Sequence, residues 1–404
     1  MKAGWEVNPL GEVCELIKRG IAPKYVESGG MVVINQKCIR DHKIDFALAR
    51  RNDLEKKSVP DERLIRLGDV LVNSTGTGTL GRVAQVRIQE DFEATVDTHV
   101  TIVRPNEGKF HPPFFGYMMR VIEDEIKEAG QGVGGQTELS RDALINSFFV
   151  SYPNDIEEQK RIVAVLDAAF EGLTRAKDNA EANLQNAREL FSQSADALFS
   201  SGNEDEIGMQ RLGSITTRLT NGYVGPTRDI YVEQGIPYLL ARHVRDNRLT
   251  FDGRTHITPE FNEKNKKSKL CVDDVVLVQS GHIGHCAVIP AKHAGHNCHA
   301  MIVLTTVKDH LSGKYLSAVL NTPHYQDEFQ TIRTGSTVPH LTCKLVKEMM
   351  IPVPSLERQA KVVEQIDLLR SHYDNLAENY RSKITDIADL RQSLLQKSFA
   401  GELT

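Results

Sequence analysis

The sequence repeats itself at a distance of 200 residues, and only a fold with an internal two-fold repeat accommodates that. Glu157, Gln159, Val163 and Asp167 recur as Glu357, Gln359, Val363 and Asp367 with no gap between them. A period of this size is that of a domain, far beyond the roughly 20–50 residues of a solenoid unit. Each half opens on a Leu-Gly pair (Leu10-Gly11, Leu212-Gly213), runs through a β-rich stretch and closes with a long amphipathic segment. The 404 residues leave room for two ordinary domains and connecting helices. The pattern implies a pseudo-two-fold molecule in one chain, suited to a target with two similar or paired parts.

The β-rich stretches correspond segment by segment. Val32-Val33-Ile34, Asp69-Val70-Leu71-Val72 and Thr98–Val103 are short β-branched runs bounded by Gly, Asn or Pro, the usual strand signal. Pro237–Leu240, Asp274–Val278 and Ala300–Leu304 occupy the matching places, with His99 aligned to His299, Ile102 to Ile302 and Val103 to Val303. Short helical stretches near Phe114–Lys127 and Leu316–Phe329 follow. Each unit therefore reads as α+β with mainly antiparallel strands. The expected division is 1–153 and 206–354 for the two globular units, with helical spacers at 154–205 and 355–404.

In the second spacer Val362, Ile366, Leu369, Tyr373, Leu376, Tyr380, Ile384, Ile387, Leu390 and Leu394 are spaced 4-3-4-3-4-4-3-3-4, a coiled-coil seam with one irregularity near Ile384. Two hundred residues earlier stand Ile162, Leu166, Ala169, Leu173, Ala176, Ala180, Leu184, Ala187, Leu190 and Ser194. Large residues on one seam and small ones on the other suit two closely packed helices. A helix from Ile162 to Phe199 is roughly 57 Å long at about 1.5 Å per residue, and its stripe needs a partner. An antiparallel pair is the expectation; two helices packed separately, each on its own domain, are the alternative.

The net charge of −5 is not that of a nucleic-acid binder, but the distribution is uneven. Lys18 to Arg66 holds twelve Lys/Arg against seven Asp/Glu, and Arg211 to Lys269 eleven against six; Asp155 to Glu206 holds five against twelve. Two basic faces on an acidic frame is one reading, ordinary surface scatter the other. The six cysteines, without a CxxC, read as free thiols of a reducing cytoplasm. No apolar run approaches a membrane span and no signal-peptide pattern follows Met1.

Catalytic signatures are sparse. Gly76-Thr77-Gly78-Thr79-Leu80-Gly81 matches GxGxxG, but Arg82–Ile88 alternates like a strand, whereas a phosphate-binding loop needs a helix at its glycines. The second half keeps only Gly281 and Gly284. His282, His285, Cys286, His293, His296, Cys298 and His299 are metal-ligand types in one short stretch, yet without CxxC or HxxxH spacing. Phosphate-loop, GxSxG and HExxH motifs are absent, as is the Asp-Pro-Pro-Tyr or Asn-Pro-Pro-Tyr segment of amino-methyltransferases.

The boundary segments carry a resemblance. Ile351-Pro352-Val353-Pro354-Ser355-Leu356-Glu357-Arg358-Gln359, then Val362-Val363, resembles the proline-rich, Glu-x-Gln lead-in to the long helices of type I restriction-modification specificity subunits. Tyr152–Val163 is a second copy, with Asn154-Asp155 where another proline is expected and Ile156 in place of leucine. The closing segment Leu394–Leu403, echoed by Ala197–Gly202, is similar to that family's helix ends, and the N-terminal segment before the first unit is nearly missing. The resemblance covers the whole chain. It implies two pseudo-symmetric α/β target-recognition domains separated by two long antiparallel, coiled-coil-like helices. It implies a non-catalytic, cytoplasmic subunit with no cofactor of its own, each domain reading half of a split double-stranded DNA site. The partners implied are two methyltransferase subunits carrying S-adenosylmethionine and, where the system includes them, two nuclease-translocase restriction subunits.

For DNA contact the candidates are Asn35, Gln36, Lys37 and Arg40 after a strand, and Ser74, Thr75, Thr77 and Arg82 around the glycine turn. In the second half they are Arg242, His243 and Arg245, then Gln279, Ser280, His282 and His285. Arg, Lys, Asn and Gln pair with purine edges in the major groove; phosphate contact or plain solvent exposure is the competing reading. The competing function is a divergent enzyme acting on DNA, dependent on S-adenosylmethionine through Gly76–Gly81 or on a metal through the histidine cluster.

Overall fold

The computed structural model describes residues 4–87, 90–130, 138–200, 208–245, 247–251, 255–335 and 339–402. Ile88, Ser201, Gly202, Glu206 and Leu403, and with them the expected 205/206 boundary, lie outside the described residues. The chain forms two compact units, Met1–Asn179 with Lys383–Thr404, and Ala180–Ser382.

In the first unit a central sheet runs in the order Cys14–Arg19, Val100–Pro105, Val70–Asn73, Val83–Gln85, antiparallel throughout. Its side chains alternate between two buried faces. Val70, Val72 and Val103 join Phe114, Phe115 and Met118 of the helix Pro112–Val121 in one core. Leu71, Val100 and Ile102 join Ile34 and Val96 in the other. Ile34 and Val96 come from a second sheet, ordered Ala94–Val96, Met31–Ile34, Arg50–Asn52, Tyr25–Val26, whose first pair is parallel. Burial on both faces is why these strands are continuous β-branched runs instead of alternating with polar residues. The layers are therefore helices, central sheet and second sheet.

The second unit repeats the plan. Its central sheet is Thr216–Asn221, Met301–Thr306, Val275–Val278, Cys286–Val288, and its second sheet is Tyr231–Val232, His256–Ile257, Ile236–Leu239, Asn297–Cys298. Val275, Leu277, Ile302 and Leu304 face the helical core; Val276, Val278, Met301 and Val303 face the other.

This alternation corrects the strand alignment. Ile102 points at the second sheet but Ile302 at the helices, so the residue matching Ile102 is Val303. A one-residue slip turns every side chain to the opposite face. Likewise His299 takes the place of Asp97, not of His99: Ile21 bridges Asp97 in one unit and Tyr223 bridges His299 in the other. The turn before the strand is shorter in the second unit, which a gap-free comparison cannot register.

The long helices are Ile156–Ser200 and Leu356–Phe399. Each unit holds the beginning of one and the end of the other. In the first unit Ile162, Leu166 and Phe170 share a core with Leu395 and Phe399, and the Arg391 guanidinium lies over the Phe170 ring at 4.9 Å. In the second, Phe191 stacks on Tyr373 with ring centres 5.4 Å apart, while Leu198 and Phe199 pack with Val362 and Ile366. Within each unit the two helical segments thus run antiparallel. The seam itself is corrected in detail. Leu376, Leu390 and Leu190 are exposed, as is Ala176, and Ala377, Arg391 and Phe191 take the inward places.

Candidate nucleic-acid interface

The strand Val70–Asn73 ends in Asn73, fully buried, whose Nδ2 donates to the Gln36 carbonyl at 3.0 Å and the Thr79 carbonyl at 3.1 Å. One amide thereby ties the turn after the strand Met31–Ile34 to the glycine loop. Thr79 Oγ1 reaches Gln36 Oε1 at 3.5 Å. Gly76 has φ +105, which favours glycine, and a Cβ there would lie 2.4 Å from Gln36 Oε1. A third segment joins them: Leu139 N donates to the Ser74 carbonyl at 2.9 Å, and Thr75 bridges Glu138. Thr75 Oγ1 is hydrogen-bonded to His99 Nδ1 at 2.6 Å. No helix follows the glycines; the strand Val83–Gln85 does.

The second unit assembles the same three segments. Arg245 Nη2 lies 3.0 Å from His282 Nε2, joining the first segment to the glycine loop, and Leu341 N donates to the Gln279 carbonyl at 2.9 Å while Ser280 bridges His340.

Among the nominated residues, Lys37, Arg40, Thr77, Arg242, Arg245 and His282 are exposed, and Gln36, Thr75, Arg82, Gln279, Ser280 and His285 are partly so. Arg82 donates to the Gly78 carbonyl at 2.9 Å and Arg242 to Thr255 Oγ1 at 2.8 Å. Three nominations are corrected. Asn35 caps the turn Gln36–Cys38, accepting from Lys37 N at 2.9 Å and donating to the Leu48 carbonyl at 3.1 Å. Ser74 is fully buried and bonded to Thr101 Oγ1. His243 is 2 % exposed, its Nδ1 accepting from Leu240 N at 3.1 Å. These side chains shape the loops from within and present nothing to a ligand.

Sequence reasoning passed over Lys43 and Arg248. Each sits across a two-residue hairpin from a nominated arginine: Arg40 pairs with Lys43, and Arg245 with Arg248. Asp41 and His42 turn the first hairpin at φ +50 and +60, and Asn247 has φ +60 in the second. Asx-rich dipeptides that tolerate the left-handed region were the available signal. The first hairpin puts Arg40 and Lys43 at its loop cluster, the chemistry that neutralises phosphates; in the second, Arg245 faces His282 while Arg248 is ion-paired with Asp374 of the helix Leu356–Phe399.

Behind the first hairpin lies Glu123, whose side chain is 9 % exposed. His42 Nε2 donates to it at 2.6 Å, and Lys127 Nζ is 3.2 Å from its other oxygen. Burial pushes this carboxyl up, but the His42 bond and charge, with Lys127, outweigh it and hold the group below its ordinary 4.5.

The histidine-rich stretch disperses. His282 and His285 are on the glycine loop, His293 and His296 pair at 3.3 Å elsewhere, and His299 meets the Tyr238 hydroxyl at 3.3 Å. Burial pushes the Cys286 and Cys298 thiols up to about 12, keeping them neutral. Among the described residues no three His, Cys, Asp or Glu side chains are grouped to hold a metal ion, and no helix is long and apolar enough to cross a membrane.

Comparison with known proteins matches this chain twice, over residues 2–184 and 205–385, to the type I restriction modification DNA specificity domain. It is 22 % identical to the type I restriction enzyme EcoBI specificity subunit of Escherichia coli over 397 residues, covering 86 % of this chain and 81 % of that one. It is 21 % identical to the StySPI specificity subunit of Salmonella potsdam, covering 99 % and 89 %. Among solved structures, a chain from a study of complex assembly and conformational transition of the type I R-M system superposes with a TM-score of 0.78 at 20 % identity, over 100 % of this chain and 99 % of that one. The HsdS subunit from Thermoanaerobacter tengcongensis gives 0.57 at 20 % identity, over 100 % and 98 %.

Proposed function

The chain belongs to the type I restriction-modification DNA specificity family and carries the family's domain twice, and on that premise we propose that each unit reads one half of a split double-stranded DNA site. One observation carries the proposal: the same three segments converge in both units, with different side chains at their tips. Gln36, Thr77 and Arg82 stand in the first where Ala241, His282 and His285 stand in the second. A repeated mount with unlike readers is what two unlike half-sites require.

The long helices are the docking elements for two methyltransferase subunits, which supply S-adenosylmethionine and the methyl transfer, and for restriction subunits where the system has them. Support comes from Val165, Leu190, Leu368, Leu376 and Leu390, large apolar side chains left exposed along these helices. The chain itself is the non-catalytic reader of a cytoplasmic complex.

The test exchanges residues 208–353 for those of a relative, co-expresses the hybrid with the methyltransferase subunits and maps methylated adenines by sequencing. One half of the methylated motif changes and the other persists. An unchanged motif, or methylation by the chain alone, sinks the reading.

A further inference from the structure

In each unit the helical layer behind the central sheet grips both DNA-facing loops at once. In the first, the helix Glu123–Ala129 holds the hairpin through Glu123, which accepts from the turn residue His42 at 2.6 Å. The same helix backs the glycine loop: a Cβ at Gly81 would lie 2.9 Å from the Lys127 Cα, so loop and helix backbones are in contact. Lys127 closes the arrangement on the other Glu123 oxygen at 3.2 Å.

The second unit reaches the same end through neutral groups, beside an ion pair from the hairpin's Arg248 to Asp374 on the long helix. The turn residue Asn247 accepts from Ser317 Oγ, at the heart of the helix Gly313–Leu320, and from Asn321 Nδ2 at 3.5 Å, just beyond that helix. Gln326, on the helix Pro323–Ile332, donates to the Gly284 carbonyl at 3.0 Å, and a Cβ at Gly284 would lie 2.7 Å from Gln326 Oε1. Two unrelated sets of side chains thus join turn residue, helix and last loop glycine in the same order.

Resting on the DNA-reading role above, we propose that Glu123 in the first unit, and Ser317, Asn321 and Gln326 in the second, are positioning residues for specificity. They fix the hairpin against the glycine loop, so that the reading side chains Thr77 and Arg82, or His282 and His285, meet the base edges in register with the phosphate-bound hairpin. A site loosened by about 1 Å is present but no longer discriminates. None of these residues touches DNA.

The experiment offers the full-length chain a pool of duplexes randomised across both halves of the site and sequences what it retains. Glu123→Gln flattens the base preference of one half-motif about tenfold, the scale of a lost base contact, and leaves the other half unchanged. It lowers the thermal midpoint only by the contribution of the lost carboxylate, the chain staying folded at the temperature of the selection. The double variant His42→Asn with Glu123→Gln, which rebuilds a neutral grip like that of Asn247, restores the preference. Asn321→Leu flattens the opposite half. Arg40→Ala serves as the contact control and lowers affinity for all duplexes. If Arg40→Ala weakens binding while Glu123→Gln keeps both half-motifs, the grip is overturned and the DNA-reading role survives. If selectivity falls only together with the thermal midpoint and the double variant restores neither, Glu123 is structural alone. Should Arg40→Ala bind as the parent does, the hairpin is no DNA contact and the proposal falls with it.

Discussion

Single residues explain why particular letters repeat. Gln159 and Gln359 are fully buried at the starts of the long helices. Gln159 Oε1 accepts from His111 N at 2.8 Å, and its Nε2 donates to the Pro153 carbonyl at 2.9 Å. Gln359 does the same with Ser312 N, at 2.9 Å, and the His310 and Pro354 carbonyls, both at 2.8 Å. Each amide pins a long helix to its strand lead-in and to the start of the domain helix. Gln159→Leu or Gln359→Leu strands these buried backbone groups and costs about 2–4 kcal/mol, read as a lower urea midpoint at unchanged slope. The repeat was legible in the sequence; the reason was not, because the partners beyond the lead-in prolines, at His111, His310 and Ser312, lie nearly fifty residues away. Glu123 adds a pH dependence. Its folded pKa is held below 4.5, so its contribution to stability is complete above that value and is lost as pH falls through the depressed one. Urea titrations at descending pH are expected to show less acid destabilisation in Glu123→Gln than in the parent.

Elements were legible by type and less so by phase. Helices and strands stand where periodicity puts them, since both use large apolar residues at regular intervals. Leucines misled the seam: Leu376 and Leu390 fit a heptad but face outward, because a four-residue step from Tyr373 brings Ala377 inside at 1 % exposure. An alanine gives little signal beside leucines and tyrosines, although its small size is what lets two helices approach. The two positions make opposite predictions. Ala377→Leu overpacks the seam and costs about 1–3 kcal/mol, whereas Leu376→Glu stays within about 0.5 kcal/mol of the parent. Thermal unfolding of the two single variants reads the difference, and the seam drawn from leucine spacing alone expects the reverse order. The strand slip between Ile102 and Ile302 has the same origin. Similar side chains align in sequence, while backbone register obeys the length of a turn.

Across the whole molecule, the two copies sort the loop residues by what they share. Basic side chains repeat at the hairpins: Lys37 with Arg242, Arg40 with Arg245, Lys43 with Arg248. The neighbouring tips do not: Gln36 stands where Ala241 does, and Thr77 where His282 does. Phosphates are the same in every DNA sequence and bases are not, so the proposed DNA-reading role assigns repeated charges to the backbone and unlike tips to base edges. This sorting gives two separable signatures. Arg40→Ala with Lys43→Ala weakens binding to all duplexes alike and reduces the slope of log K against log salt by about 2, near 0.9 per phosphate contact. Arg245→Ala reduces the slope by about 1, since Arg248 is held by Asp374, and the three changes together add. Thr77→Val and His282→Ala leave the slope unchanged and instead alter the recovered motif, each in a different half. A salt slope that moves with Thr77 or His282, or a motif rewritten by the hairpin charges, would show that the shared and unshared residues have been assigned the wrong way round.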